Sequence, residues 1–373
     1  MLKVSSFVFI LLLGGLLDFL FLRPAVTKPA NAFAQFYFAA QLVDQGEVAR
    51  IYQPTAYEPL VEKLETEDFQ DHPFYYYNRP AYAAPLYWPY SLVSYAAGAR
   101  LFVALNFVLW GLLIWKLPRW LDAPTSVRVW LFSLFPFAYA VAIGQDTLAL
   151  TLLLAYSMCV LIHRNQTAAG IVLGLCLVKP HLIVLMPLLL LAERKHRALL
   201  SFAATGIALA GVSVALVGFH GIQEWLELLA APTTDFYPEN MGTIRALGLQ
   251  FGTPTAFAAG AIALAAGVFA FLRANYLNRL SIILMLALLL NPHAYWGDYA
   301  LLSIVALATT NRLIRYGILL PWPFFLPLTM WPMVIGTIFF LLLMALDAVG
   351  SPSQASIFER LSLNREKSVP LPR

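Results

Sequence analysis

The sequence contains few charged residues: only 12% of its 373 positions are Asp, Glu, Lys or Arg, whereas 60% are hydrophobic. A soluble domain carries about a quarter charged residues, so this composition excludes a soluble enzyme and a disordered scaffold. Long apolar runs recur from residue 4 to residue 346. We therefore expect an all-α, polytopic membrane protein that forms a single transmembrane domain over residues 1–373.

Cysteine is also scarce, because Cys159 and Cys176 are the only two and both lie inside apolar runs. This pattern predicts buried packing residues rather than a disulfide framework or a metal site. The sequence has no zinc-ligand spacing, P-loop or GxGxxG motif, so nucleotide-driven chemistry within the chain is not expected. The net charge of +4 is scattered between apolar segments, which argues against nucleic acid as a partner.

Hydrophobic segments of the right length predict the membrane helices. They cover residues 5–22, 98–115, 127–143, 147–162, 168–192, 198–218, 254–272, 280–290, 299–308, 314–328 and 333–346. The segment 168–192 has Lys179-Pro180-His181 at its centre, where proline breaks the helical hydrogen bonds and a charge in lipid costs ~3 kcal/mol. We expect two half-helices that meet at Lys179, with their polar apex facing a water-filled cavity. The total is then about twelve passes.

The distribution of basic residues predicts the orientation. With the N-terminus inside, 16 of the 24 Lys and Arg residues fall on the cytoplasmic side, as the positive-inside rule requires. Both termini are then cytoplasmic, including a tail over residues 348–373. An uncleaved first span is favoured over a signal peptide cleaved near Ala30-Asn31-Ala32, because polar and turn-forming residues separate the apolar run from that site.

The first outer loop, residues 23–97, is much longer than the other connections and does not look disordered. One helix is predicted by an apolar stripe that ends before Gly46 and consists of Phe33, Phe36, Tyr37, Ala40 and Val43. A second helix is predicted by Thr55-Ala56-Tyr57-Glu58, which fits a capping box. We expect both helices to be interfacial and to lie on the outer leaflet.

Residues 74–95 of this loop contain nine aromatic residues. One interpretation is an aromatic belt at the membrane interface. The alternative is that some of the rings stack on a sugar or a lipid headgroup.

Polar clusters recur at the predicted outer ends of the spans. They are Gly144-Gln145-Asp146, Lys179-Pro180-His181, Asn291-Pro292-His293 followed by Asp298, and a segment over residues 221–253 that contains Arg245. A single cluster could be a helix cap or a turn, but ionisable residues at membrane depth are costly and tend to line functional cavities. Together they predict a polar cavity that opens outward. Gly170-x-x-x-Gly174, in contrast, is typical of tight helix packing.

The order and spacing of these motifs resemble glycosyltransferase family 87, bacterial polyprenyl-phosphate-mannose-dependent mannosyltransferase-like proteins of the GT-C fold. The resemblance runs from about Phe33 to Tyr299. It rests on Phe36-Tyr37-x-Ala39-Ala40-x-Leu42, Asn78-Arg79-Pro80-Ala81-Tyr82, Gly144-Gln145-Asp146, Ala169-Gly170-x-x-x-Gly174, Lys179-Pro180-His181, Asn240-Met241-x-x-Ile244-Arg245, and Pro292-His293 with Asp298.

The resemblance implies an enzyme of the bacterial plasma membrane that takes a hexose, mannose in the family, from a polyprenyl phosphate carrier. It implies that the sugar passes to a hydroxyl of a glycolipid or glycan acceptor on the outer face, with no cofactor or metal. Lys179 and Arg245 would bind the phosphate. Substrate binding would further involve Gln145, His181, His293, Arg79 and Tyr82.

The family's general base is an aspartate before the Phe-Tyr pair, and this position is Ala32 here. Either another carboxylate serves, or the register differs by a few residues, or the chain has lost its activity. Asp298 is our first choice for the base and Asp146 the second, followed by Asp44 and Asp18. The other functions left open are a silent relative that binds a glycolipid or a partner, and a lipid-linked-sugar transporter, although we find no internal repeat of the kind common in transporters.

Overall fold

The computed structural model describes residues 31–63, 76–121, 127–132, 134–162, 165–230, 241–291, 293–309, 311–319 and 331–350, and the single positions 12, 15, 16, 19, 22, 23 and 123. Across these residues the fold is helical, and the pairing of Met241 with Tyr295 is an isolated β-bridge. The all-α prediction is therefore confirmed. Most of the predicted first span and residues 351–373 of the predicted tail lie outside the described residues, as do both termini.

Before the first long helix, the described residues form three short helices and three 3-10 turns. The helices are α1 (Asn31–Asp44), α2 (Glu58–Lys63) and α3 (Trp88–Ser91). The 3-10 turns are Val48–Arg50, Pro54–Ala56 and Ala81–Tyr87.

The apolar bundle follows. Its first helices are α4 (Tyr95–Trp120), α5 (Val127–Phe132), α6 (Phe135–Ile143), α7 (Thr147–Ile162), α8 (Gln166–Leu175), α9 (Pro180–Ile183), α10 (Met186–Ala192) and α11 (His196–Ala230). The helices that follow among the described residues are α12 (Ile244–Phe251), α13 (Thr253–Arg273), α14 (Tyr276–Leu290), α15 (Leu302–Ala308), α16 (Arg312–Leu319) and α17 (Trp331–Gly350). Two 3-10 turns, Cys176–Val178 and Trp296–Leu301, lie at breaks between helices.

In the part of the chain that the structure describes, three helices, α4, α11 and α13, are long and apolar enough to cross a membrane, and several shorter helices are also apolar. Large apolar side chains on the outside of α11 and α13, such as Ile207 and Phe257, are strongly exposed. Such exposed apolar surface suits a lipid environment rather than water. The total of about twelve passes remains a prediction.

Helix α1 is found where the apolar stripe predicts it, but its environment differs from the prediction. The chain leaves the helix through Gly46, whose φ is 74°. Phe33, Phe38 and Gln35 are all buried although they lie on different sides of the helix. The interfacial placement of α1 is therefore wrong, because neighbouring aromatic rings cover the sides that a surface helix would leave exposed.

The aromatic residues of the loop supply that cover. Tyr87 stacks on Phe36 with ring centroids 4.4 Å apart, and Tyr77 and Tyr95 are buried against the same helix. Trp88, in contrast, remains exposed. Much of the aromatic run is thus a packed core rather than a belt or an open stacking surface.

The second loop helix starts later than the capping box predicts. Thr55 lies inside the 3-10 turn Pro54–Ala56, and α2 begins at Glu58. Tyr57 and Leu60 are both buried. Proline fixes its own φ near −65° and suits the start of a helical turn, so the helical turn begins at Pro54 rather than after Thr55.

The predicted break at Lys179 is confirmed. Helix α8 ends before the turn Cys176–Val178, Lys179 has a non-helical conformation (φ −122°, ψ 75°), and α9 starts at Pro180. A Cβ added at Gly170 would lie 2.2 Å from the Ala198 carbonyl oxygen. One at Gly174 would lie 2.5 Å from Cβ of Thr205, so α8 and α11 run parallel in close contact. The chain therefore turns back after Lys179, and the Gly-x-x-x-Gly motif is a packing motif.

Other spans are also interrupted. The predicted span 127–143 is divided into α5 and α6, and the segment 299–308 starts as the 3-10 turn Trp296–Leu301. Helix α11 contains a kink at Gly218, where φ is 70° and ψ is 177°. Of these breaks, the turn Trp296–Leu301 lies at the level of Lys179, because its Asp298 contacts the Lys179 ammonium.

Candidate functional site

Four charged side chains meet in the interior at the level of the helix breaks. They are Arg79, Asp146, Lys179 and Asp298, and each is at most 7% exposed. The two positive and two negative charges balance. Buried ions are stable in a protein only when they are paired and hydrogen-bonded, and the contacts below meet that requirement.

Arg79 binds Asp146 with two parallel hydrogen bonds. Its Nε lies 3.2 Å from Oδ2 and its Nη2 lies 3.1 Å from Oδ1. Arg79 Nη1 also donates to the side chain of Asn78, and its guanidinium lies 5.7 Å from the centroid of the Phe36 ring. The bidentate geometry attaches the aromatic loop region to the bundle.

Lys179 joins the two carboxylates. Its Nζ lies 2.7 Å from Asp298 Oδ1 and 3.2 Å from Asp146 Oδ1. It also donates to Thr147 Oγ1 at 2.6 Å, and that hydroxyl in turn donates to Asp298 Oδ1 at 3.0 Å. The ammonium thus donates two hydrogen bonds and is paired with both carboxylates.

Local backbone geometry explains how residues so far apart in sequence meet. Gly144 ends α6 in the left-handed conformation, with φ 71° and ψ 50°, a common end for helices because glycine adopts it without strain. Asp146 then follows two residues later, immediately before α7. Asp298 lies in the turn Trp296–Leu301, where its Oδ2 accepts the backbone N–H of Tyr295 at 3.1 Å.

The charges around Asp146 determine its protonation. Burial raises the pKa of this carboxyl, but the positive charges of Arg79 and Lys179 and the hydrogen bonds from Arg79 and Tyr87 lower it more strongly. Its pKa therefore lies well below the ordinary value, and the group is ionised at neutral pH. Burial raises the pKa of Tyr87 well above its ordinary value, so this phenol stays neutral and donates to Asp146 Oδ2 at 3.0 Å.

The predicted residues Gln145, Tyr82, His181 and His293 are all partly buried. A Cβ added at Gly297 would lie 2.2 Å from Gln145 Oε1, so this amide packs directly on the backbone beside Asp298. Tyr82 and His181 interact electrostatically with the cluster, Tyr82 with Asp146 and His181 with Asp298. The backbone N–H of His293 donates to Asn291 Oδ1 at 2.8 Å.

The remaining predicted residues are Arg245, Asp44, Ala32 and Asp18. Arg245 is in the first turn of α12 with an exposed side chain. Asp44 is exposed at the end of α1, where it accepts the indole N–H of Trp88. Ala32 is buried in the first turn of α1, one helical turn before Phe36, and Asp18 lies outside the described residues.

Two residues that form hydrogen bonds with the cluster, Thr147 and Tyr87, were not predicted. Thr147 follows Asp146 directly and is the first residue of the predicted span 147–162. Its position next to a candidate site carboxylate is the signal that could have identified its hydroxyl as part of the site. Tyr87 was one of nine aromatic residues in its stretch, and the sequence contains no feature that separates it from the others.

The comparisons with known proteins give one match. The family model of glycosyltransferase family 87 matches residues 77–292, more than half of the chain. The matched region includes Arg79, Asp146 and Lys179 and ends six residues before Asp298. No curated protein and no solved structure matches the chain.

Proposed function

The chain belongs to glycosyltransferase family 87 and is therefore a membrane glycosyltransferase, and from this premise we propose that it transfers a hexose from a polyprenyl phosphate carrier. In this proposal the sugar is mannose, and the acceptor is a hydroxyl of a glycolipid or glycan at the outer face of the bacterial plasma membrane. The acceptor oxygen attacks the anomeric carbon, the bond to the carrier phosphate breaks, and a carboxylate takes the hydroxyl proton.

The observation that carries the proposal is the buried cluster of Arg79, Asp146, Lys179 and Asp298. Ionisable residues inside membrane proteins are costly and are usually found where substrates or protons are handled. The opposite end of α10 and α14 carries an ordinary ion pair, Arg279 with Glu193 at 2.8 Å. The cluster is therefore the position where charge, burial and broken helices coincide.

The number of contacts on each carboxylate oxygen favours Asp298 over Asp146 as the base. An ionised carboxylate offers about four acceptor positions. Asp146 accepts two hydrogen bonds from Arg79 and one from Tyr87, and Lys179 Nζ lies 3.2 Å from its Oδ1, so that each of its oxygens has two contacts. Among the residues that the structure describes, Asp298 Oδ2 receives only the Tyr295 N–H. One acceptor position of Asp298 is thus available for the proton of an acceptor hydroxyl.

The number of unused N–H groups indicates which cation can bind the phosphate of the carrier. Lys179 donates hydrogen bonds to Thr147 and Asp298, and its charge is also paired with Asp146 3.2 Å away. Arg79 has five N–H groups, and three of them are used by Asp146 and Asn78. Arg79 is therefore better suited than Lys179 to bind a phosphate oxygen, and the exposed Arg245 provides a second cation.

The test measures transfer from radiolabelled polyprenyl phosphate mannose in proteoliposomes of the full chain. Asp298→Asn keeps the shape of the side chain and removes its basicity, so the rate should fall by a factor on the order of 10². The matched control is Asp347→Asn, because Asp347 is exposed on α17 and bonds only to Asn311 among the described residues. Unchanged transfer in Asp298→Asn would refute the assignment of the base.

A silent relative is the second candidate, and Ala32 at the family's aspartate position favours it. If the unsubstituted chain shows no transfer and Ala32→Asp creates it, the silent-relative interpretation is correct. If transfer by the unsubstituted chain is unaffected by Ala32→Asp and abolished by Asp298→Asn, the base has been relocated. Ala32 is only 6% exposed, so the folding of Ala32→Asp is checked by its melting temperature.

A further inference from the structure

On the two chain segments that pair next to Asp298, two buried side-chain atoms have no hydrogen-bond partner among the described residues. They are Thr243 Oγ1 and Asn291 Nδ2, in side chains that are 0% and 4% exposed. An unsatisfied buried polar group is destabilising, and each instance in a native structure calls for an explanation. A ligand that supplies the partners is one such explanation.

The two residues lie on facing segments of the same short pairing. The backbone N–H of Gly242, next to Thr243, donates to the Ala294 carbonyl at 2.9 Å, and Met241 pairs with Tyr295. Asn291 Oδ1 is already used by the backbone N–H of His293. The amide N–H₂ of Asn291 is therefore the donor that the fold leaves available.

This pairing also connects directly to the candidate base. The backbone N–H of Tyr295 donates to Asp298 Oδ2, the oxygen with an unused acceptor position. The hydroxyl of Tyr299, the next residue after Asp298, donates to the Gly242 carbonyl. The two segments that carry the unsatisfied atoms are thus linked by hydrogen bonds to each other and to Asp298, the residue that would receive the proton.

The chemistry of the two groups identifies the class of ligand. A threonine hydroxyl both donates and accepts, and an asparagine amide nitrogen donates twice. Ring hydroxyls also donate and accept, whereas phosphate oxygens would leave the threonine acceptor unused and a polyprenyl chain would leave both groups unsatisfied. We propose that Thr243 and Asn291 form a saccharide-binding subsite next to Asp298.

This inference rests on the proposed function, because it assigns the subsite that holds a sugar ring close to the base. The ring belongs either to the hexose of the donor or to the acceptor, since both present the same hydroxyl chemistry. The experiment below separates these two sources.

The first experiment measures equilibrium binding to the full chain in lipid nanodiscs, with no acceptor present. The two probes are polyprenyl phosphate mannose and the same polyprenyl phosphate without sugar. The unsubstituted chain should prefer the sugar-bearing probe. Thr243→Val removes the hydroxyl at constant shape and should reduce this preference about tenfold, the effect of one lost hydrogen bond of ordinary strength. Thr243→Ser should keep the preference.

Two further variants complete the design. Asn291→Asp retains the oxygen that binds the His293 N–H and replaces the amide donors, so it should also reduce the preference for the sugar-bearing probe. Thr151→Val is the matched control, because Thr151 is fully buried and its hydroxyl is bonded to the Thr147 carbonyl within α7. Its preference should equal that of the unsubstituted chain.

A second arm measures binding of methyl mannoside, which lacks the carrier. If Thr243→Val and Asn291→Asp weaken only this arm, the ring belongs to the acceptor; if they weaken the preference among the carrier probes, it belongs to the donor. If neither arm changes in either variant, the unsatisfied atoms bind only water and the proposal is overturned. Thr243→Val should not lower the melting temperature, since the hydroxyl has no partner to lose.

The results also distinguish this proposal from the proposed function. Sugar-dependent binding that is lost in the variants, without transfer by the unsubstituted chain, would support the subsite and contradict the enzyme. Transfer that persists at full rate and unchanged KM in both variants would support the enzyme and contradict the subsite.

Discussion

Lys179 and Asp298, 119 residues apart in the chain, form a buried ion pair with Nζ and Oδ1 2.7 Å apart. Each residue lies at a break in the helical bundle, Lys179 between α8 and α9, and Asp298 in the turn before α15. The pair joins the two breaks. It therefore holds the non-helical backbone inside the protein, away from lipid, which could not form hydrogen bonds with the free backbone N–H and C=O groups.

Removal of Lys179 should be strongly destabilising. Lys179→Met leaves Asp298 and Asp146 buried without the shared cation, and loss of one partner of a buried ion pair costs about 3–5 kcal/mol. The double variant Lys179→Met/Asp298→Asn should recover part of this loss, which gives a coupling free energy in a double-mutant cycle. Reversible unfolding in detergent micelles measures the four free energies.

The control for this cycle is an exposed ion pair, Arg50 with Glu47 at 2.7 Å. Such pairs contribute about 0–1 kcal/mol, so Arg50→Met should have a small effect. Strict additivity of the Lys179 and Asp298 substitutions would contradict the buried pair.

The stability of the protein should decrease in acid, in part because of Asp146. Its folded pKa is lowered, so its contribution is fully present above the unfolded pKa of about 3.9 and is lost as the pH falls through the folded value. Arg79→Met removes the strongest interaction that lowers this pKa. The free energy of unfolding should therefore fall less between about pH 5 and pH 3 in Arg79→Met than in the unsubstituted chain.

Tyr87→Phe serves as the graded control, because it removes only one hydrogen bond to Asp146. Its acid-dependent loss should lie between those of the other two chains. Parallel pH curves for the unsubstituted chain and Arg79→Met would show that the Arg79–Asp146 pair does not determine the acid dependence.

Close packing of α8 on α11 should make Gly170 intolerant of larger residues. A Cβ there would lie 2.2 Å from the Ala198 backbone oxygen, and backbone cannot move aside cheaply. Gly170→Val should lower the melting temperature of the purified protein strongly or prevent its accumulation in the membrane. Gly111→Ala is the control, because nothing lies within 4 Å of a Cβ at this exposed helical position. It should be neutral or stabilising by about 0.5–1 kcal/mol. Equal melting temperatures of the two variants would disprove the close contact.

The orientation of the bundle can be tested by thiol labelling. Thr55 and His196 are exposed, and the native Cys159 and Cys176 are buried. The charge distribution predicts that Thr55→Cys reacts with an impermeant maleimide in intact cells and that His196→Cys reacts only after permeabilisation. The reverse result would place the charge cluster at the cytoplasmic face.

Hydrophobic periodicity predicted individual helices well. The span 147–162 matches α7 residue for residue, and α13 extends the predicted segment 254–272 by one residue at each end. The same information could not predict the burial of Gln35 and Phe38 on α1, because helical periodicity describes one face and the cover on the other faces comes from residues far away in sequence. It also located Asp146, Lys179 and Asp298 near helix ends without showing that they touch.

The sequence by itself determined the all-helical membrane class, the break at Lys179-Pro180 and the resemblance to the family, because apolar run length, proline and short motifs are local properties. Only the tertiary structure decided that Arg79 pairs with Asp146 and that Lys179 pairs with both Asp146 and Asp298. Each pairing depends on distances between segments that local sequence does not encode. The charges pair because burial removes water, and no other partners can then balance them.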